Sequence, residues 1–257
     1  MKNLIIILSL LFSSVAVAQK HNIVNASIAL RNAQKAKGEE IGSLLKEAKE
    51  YIDEAYNNES TSNEAKMWNY RAPIYLEIAL KKPELDEDAI IKATDAHLKC
   101  LQKGKKDRII VRKWTSKEDI LAGLIQCGYK LFNLGIDTYN EGDYRKSLTY
   151  YEKIFAIVPF DEEDQLKRGN ITKETILYNS YFSSNKLKDD SKSKELLQKL
   201  IDINFNEPAI YIHMSDIFKR EDNIEKTIEY LNLGRDMFED DQSLINTEIN
   251  LYIELGR

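Results

Sequence analysis

Three histidines and two cysteines are the residues of this 257-residue chain best suited to nucleophilic or metal chemistry: His21, His97, His213, Cys100 and Cys127. Their spacing denies them most of it. No H-E-x-x-H places two imidazoles on one helical face, and no CxxC or nearby histidine completes a ligand set. No G-x-S-x-G presents a serine nucleophile, and no G-x-G-x-x-G or P-loop offers the backbone amides that cradle phosphate. The carboxylates gather as Asp161-Glu162-Glu163-Asp164 and Asp189-Asp190. Both runs fall in loops or at helix starts, where acids complement the helix dipole. Glycoside cleavage needs two acids at a fixed separation across a cleft, which nothing here specifies. The Asp161 run lacks the glycine and the spacing of an EF-hand loop, so weak calcium binding is the most it could offer. The reading is therefore of a protein that is not an enzyme, with no catalytic residue, cofactor or metal site.

His97 shares a helical stripe with Ala93 and Cys100, so it reads as a packed histidine, and His213 lies beside another such stripe. In an oxidising compartment Cys100 and Cys127 could pair, since both fall on neighbouring helices. The alternative is two buried free thiols, and the Cα separation that decides between them is not written in a sequence.

The elements that must position these residues follow from composition. Only 4 Pro and 10 Gly punctuate the chain, and helix interiors exclude both, which points to an all-α protein. A formal net charge of −5 argues against nucleic acid, which needs a basic face, and against an anionic membrane surface as main partner. At the N-terminus Lys2, the apolar run 4–12 and Ala16-Val17-Ala18 have the form of a signal peptide cleaved before Gln19. The run is too short for the ~20 apolar residues of a spanning helix. With no cysteine at the cleavage site, lipid attachment is not expected, and any membrane contact is indirect. An exported chain, periplasmic or secreted, is the expectation.

Residues 131–159 read LFNLGIDTYNEGDYRKSLTYYEKIFAIVP. Leu131, Leu134, Gly135, Thr138 and Tyr139 fall on one helical stripe. A Gly142-Asp143-Tyr144 turn follows, then a second stripe of Ser147, Tyr151 and Ile154, stopped by Pro159. This resembles the tetratricopeptide repeat, W-x2-L-G-x2-Y then A-x3-F then P. The stripe Leu177, Ser180, Tyr181, Ser184 recurs 34 residues on as Tyr211, Met214, Ser215, Phe218, and 34 residues is that family's period. Ser193, Leu197 and Leu200 likewise recur as Thr227, Leu231 and Gly234. Repeats are placed near 128–161, 174–207 and 208–241, with a half repeat at 242–257 carrying Ile245, Ile249 and Tyr252.

Residues 162–173, EEDQLKRGNITK, interrupt the period as a polar surface loop with room for a helical turn. Residues 19–115 form a looser helical region, separate from the array at 116–257. There Trp68, Ala72 and Tyr75 make a first-helix stripe and Ala93, His97 and Cys100 its partner, with an insertion at 83–88. Pro73 predicts either a kink or the start of a shorter helix. Ala48, Ile52 and Ala55 look like the second helix of an earlier pair, with 22–36 as its first. Ser116 and Asp119 form a variant capping box that starts a long helix, or two helices, reaching almost to Asn140. Residues 103–113, KGKKDRIIVRK, join the halves as a solvated basic loop; contact with an acidic partner or lipid headgroups is its alternative.

The resemblance implies a right-handed superhelix, an α-solenoid of antiparallel helix pairs, in which stacking buries one continuous core. Tyr151, Leu197 and Leu231 belong to that core. It also implies a concave face lined by first helices. That face would carry Tyr129, Phe132, Ile136, Tyr139 and Asn140, then Tyr178, Phe182 and Asn185, then Ile212, Asp216 and Lys219. Aromatics with a few amides suit an extended peptide or a helix laid across them, although the same aromatics could pack on neighbouring repeats. Some members hold a peptide's terminal carboxylate with clustered Lys and Asn; Phe132 and Ile136 stand in that neighbourhood here, which argues against such a role. Three functions remain. The leading one is a scaffold in the periplasm or cell envelope binding a protein or peptide on the concave face. The others are a sensory or docking region of a larger envelope protein or receptor, and a glycan- or small-molecule-binding envelope protein.

Overall fold

The computed structural model describes residues 20–256, so the leader expected at 1–18 lies outside the described residues. Among the described residues the chain is all-α: twelve helices and no strand, with one isolated bridge between Lys103 and Ile109. The helices are α1 (20–35), α2 (Glu40–Asn57), α3 (Ala65–Lys81), α4 (Ala89–Cys100), α5 (Lys117–Asn140), α6 (Tyr144–Phe155), the single turn α7 (Gln165–Arg168), α8 (Lys173–Lys186), α9 (Asp190–Asp202), α10 (Ala209–Arg220), α11 (Ile224–Met237) and α12 (Gln242–Glu254). No helix among the described residues is long and apolar enough to cross a membrane.

The chain divides into two compact units. The first holds the chain up to Leu131 together with Ile157–Leu166, and the second holds Phe132–Ala156 and everything from Lys167 on. The division falls inside α5, a single continuous helix of 24 residues rather than two. Its start is the capping box read from the sequence: the Asp119 amide donates to Ser116 Oγ at 3.0 Å, and Ser116 Oγ donates to the Asp119 carboxylate at 2.8 Å.

In the first unit α3 packs against both α2 and α4. It is therefore buried on several sides, through Met67, Ala72, Ile74, Tyr75 and Ile78, and even Arg71 is 6% exposed. Pro73 sits mid-helix in α3, where it has no N–H to give the Asn69 carbonyl one turn back. Asp53 of α2 answers the Arg71 charge with a 2.7 Å ion pair and accepts the Tyr75 hydroxyl at 2.6 Å. The 162–173 insertion is not wholly a surface loop. Leu166 and Ile171 are buried, and Leu166 fills the space above Gly128, where a β-carbon would stand 2.8 Å from Leu166 Cδ2.

In the second unit each helix packs on the next: α6 on α8, α8 on α9, α9 on α10, α10 on α11 and α11 on α12. Leu177, Leu197, Leu200, Met214, Leu231 and Leu244 run through its core. Three turns share one geometry. Gly142, Lys188 and Asp222 have φ of 87°, 58° and 57°. The amides of the residues that follow, Asp143, Asp189 and Asn223, reach back to the carbonyls of Thr138, Ser184 and Phe218 at 2.9, 3.0 and 2.9 Å. This is the left-handed helix stop. Each of those three side chains then caps the next helix, accepting the amides of Lys146, Lys192 and Lys226.

Candidate functional site

The site is built where α5, α6 and α8 meet within the second unit. Small residues set the approach of α5 to α6. A β-carbon on Gly135 would stand 2.7 Å from Tyr151 Cε1, so only glycine leaves room for that ring. Ser147, fully buried, donates to the Gly135 carbonyl at 2.7 Å and lies 3.0 Å from Ser183 Oγ, tying α6 to both neighbours. Hydroxyls satisfied this way cost little to bury.

Beside this seam lies a cleft of about 400 Å³ lined by Ile136, Tyr139, Tyr151, Asn179 and Phe182. Tyr151 forms its inner wall and is 2% exposed. Ile136 is 38% exposed and stands at the rim. Each aromatic is held from behind. Phe132 meets Tyr151 edge-on at 6.0 Å between centroids, and Tyr139 meets Tyr144 at 5.2 Å. Phe182 packs on Tyr178 at 4.6 Å, on Tyr181 at 5.3 Å and on His213 at 6.3 Å. A preformed aromatic wall loses little side-chain entropy on binding, which favours affinity.

The wall carries no charge at neutral pH. Burial pushes the Tyr151 phenol up to about 12, against the pull of hydrogen bonding to Ser147 and Asn179. Burial also holds the His213 imidazole below its ordinary value, although Asp216 and Glu207 pull the other way. The cleft thus offers apolar surface with one amide to orient what enters, and no paired acid, base and nucleophile. Among the described residues no group of three or more His, Cys, Asp or Glu is placed to hold a metal ion. Cys100 and Cys127 are free and buried, so the reading of two packed thiols holds over the disulfide.

Of the residues expected on the inner face, the structure brings Ile136, Tyr139 and Phe182 together in the cleft. Phe132 and Tyr178 stand behind its wall. Ile212 packs against the core of the second unit. Asn140 and Asp216 are exposed, Asn185 is half-buried, and Lys219 pairs with Glu254. Tyr129 belongs to the first unit, where its hydroxyl donates to the Gln165 carbonyl at 2.6 Å. Sequence reasoning missed two lining residues. Tyr151 was assigned to the core, where it is indeed buried, and it also lines the cleft. Asn179 lies one helical turn before Phe182 and shares its face, a spacing that was there to be read.

No protein-family model matches the chain, and no curated protein matches it.

Proposed function

We propose that the chain is a non-enzymatic protein-interaction scaffold of the tetratricopeptide-repeat kind, exported to the periplasm or cell envelope. Its cleft would hold an apolar side chain of a peptide or protein partner. The observation that carries this reading is the cleft itself, where three residues expected on the inner face converge with Tyr151 and Asn179. A small-molecule site usually brings several polar groups to bear on its ligand. Here one amide stands among aromatics, which suits a side-chain anchor with an amide bond to the adjoining backbone.

The repeat assignment draws on the three matching turns at Gly142, Lys188 and Asp222 and on helix-to-next-helix packing in the second unit. A right-handed superhelical winding of those pairs is part of the proposal. Export draws on the sequence of residues 1–18 alone. A second reading, a docking region of a larger envelope protein, draws on α12, where Ile249 and Ile253 are 50% and 68% exposed. Large apolar residues exposed on one helix are a surface another element can cover.

The test is selection of a displayed random-peptide library against the full chain. Enriched peptides should share an aromatic or long aliphatic residue and should lose about 2 kcal/mol or more of affinity with Ile136→Asp. Ile136 is exposed at the rim, so this variant should melt like the wild type. Peptides that bind the variant equally well would move the site elsewhere.

A further inference from the structure

A second cleft, of about 680 Å³, lies within the first unit and has the opposite character. The basic segment after α4 and the turn at 159–162 form its walls. Lys103, Arg108, Arg112 and Lys117 face it with only two carboxylates, Asp107 and Glu162. Both carboxylates are already matched: Lys103 pairs with Asp107 at 2.8 Å and Lys117 with Glu162 at 2.6 Å. Among the described residues no carboxylate pairs with Arg108 or Arg112. Two guanidiniums are left over at the cleft of a chain whose net charge is −5.

The segment that carries them is shaped rather than loose. The Gly104 amide donates to the Arg108 carbonyl at 2.9 Å, and the Ile110 amide donates to the Gln102 carbonyl at 3.0 Å. Lys106 and Asp107 take φ of 63° and 56°, a left-handed turn that non-glycine residues adopt at a cost. Val111, between the two arginines, is fully buried and anchors the strip. The loop is solvated as expected from the sequence, with Lys103, Lys106, Arg108, Arg112 and Lys113 exposed, but it is held as a hairpin with both arginines on one cleft. The remaining lining is an apolar floor of Leu101, Ile109, Pro159 and Phe160, with the hydroxyl residues Thr115 and Ser116 immediately before α5.

We propose that this cleft binds a phosphomonoester, its dianionic phosphoryl group held between Arg108 and Arg112 and its organic body on Leu101, Ile109 and Phe160. The charge sets the class. A phosphomonoester carries about −1.5 to −2 at neutral pH, which two guanidiniums balance, whereas a carboxylate would leave one unmatched. The planar fork of arginine also fits phosphoryl oxygens two at a time. The apolar floor and the size of the cleft select a phosphate that carries an organic group. That group could belong to a soluble metabolite or to a lipid with a phosphomonoester head.

The experiment is calorimetric titration of the full chain with phenyl phosphate, beside flotation with phosphatidylcholine vesicles with and without phosphatidic acid. Two double variants are compared: Arg108→Ala/Arg112→Ala, and Lys106→Ala/Lys113→Ala, which removes the same charge from the same segment but not from the cleft lining. All four residues are exposed, so both variants should keep the wild-type melting curve. Expected is phenyl phosphate binding that weakens about tenfold or more in the arginine variant and stays near wild type in the lysine variant. Binding to phosphatidic acid vesicles alone, with the same dependence, would support the site and assign it to a lipid head. Equal weakening in both variants would reduce it to diffuse surface charge and overturn the proposal, as would no binding of any probe.

Discussion

Gly135 and Tyr151 face each other so closely that a single methyl group cannot enter between them: a β-carbon at position 135 would lie 2.7 Å from the tyrosine ring. Gly135→Ala therefore sets two effects against each other. Alanine gains up to about 1 kcal/mol of helix propensity, and overpacking a filled contact costs about 1–3 kcal/mol. The overpacking should win, lowering stability by about 1 kcal/mol in a urea titration. Because Tyr151 walls the cleft, the same variant should weaken any ligand of that cleft. A midpoint at or above wild type would mean that the ring moves aside freely.

The three left-handed turns give a paired prediction. Gly142 occupies its turn without strain, while Lys188 has φ of 58° in the equivalent place. A side chain in that region costs about 1 kcal/mol relative to glycine. Lys188→Gly should therefore stabilise the protein by about that amount, and Gly142→Lys should destabilise it by a similar amount. Thermal melts of the two single variants check both signs. A loss in Lys188→Gly would show that the lysine stem contributes packing larger than the strain.

How much of this was legible in the sequence depends on whether a feature is local. Helix stripes and caps depend on neighbours in the chain, so Ser116 with Asp119 and the Gly142-Asp143 stop could be read directly. Core stripes such as Ser147, Tyr151 and Ile154 were legible for the same reason. The polar 162–173 segment reads as a loop because its composition is charged, yet Leu166 is buried in a space left by Gly128, a partner 38 positions away. The Asp53–Arg71 pair was invisible likewise, since charge composition does not say which ions a burial will bring together. The cleft was half legible. Ile136, Tyr139 and Phe182 were expected on one face only through the family resemblance, whereas Tyr151 and Asn179 depend on how closely α5, α6 and α8 approach, which Gly135 and Ser147 set.

Asp53 should give the fold a measurable acid dependence. Burial pushes its carboxyl up, but hydrogen bonds from Tyr75, Arg71 and Lys49 outweigh that and hold it below the ordinary carboxylate value. A carboxyl with a depressed folded pKa contributes stability above its unfolded value, and that stability is lost as pH falls through the folded one. Asp53→Asn leaves Arg71 nearly buried without its counter-ion and should cost about 2 kcal/mol at neutral pH. The gap to wild type should close as pH drops below the ordinary carboxylate value of 3.8. A gap unchanged down to about pH 2 would assign the loss to packing instead of charge.

The thiols of Cys100 and Cys127 are both pushed up to about 12 by burial, so neither holds an appreciable thiolate population at neutral pH. Thiolate is the reactive form. A disulfide-exchange reagent should leave the native protein unlabelled at mild pH and modify both residues once it is denatured. Mass spectrometry of the denatured, unreduced chain checks this. Recovery of a mass that rises only on reduction would show that the two cysteines pair after all.

His97 sets a second and separate acid limit. Its Nδ1 lies 2.8 Å from the Ala93 carbonyl and its ring is 3% exposed. Burial lowers its pKa from 6.5 to about 4, against the pull of that carbonyl. A histidine whose folded value is depressed must be protonated in the unfolded chain first, so stability is complete at neutral pH and falls as pH drops from 6.5 towards 4. The total loss over that window is about 3 kcal/mol. Burial lowers His213 as well, so the informative quantity is the difference between wild type and His97→Gln. The variant will be less stable at neutral pH because it disturbs the packing around Cys127, 3.9 Å away. Its stability should nonetheless fall less steeply between those two pH values, bringing the two urea midpoints together on acidification. Parallel curves would mean that water or a local opening relieves the imidazolium before the core gives way.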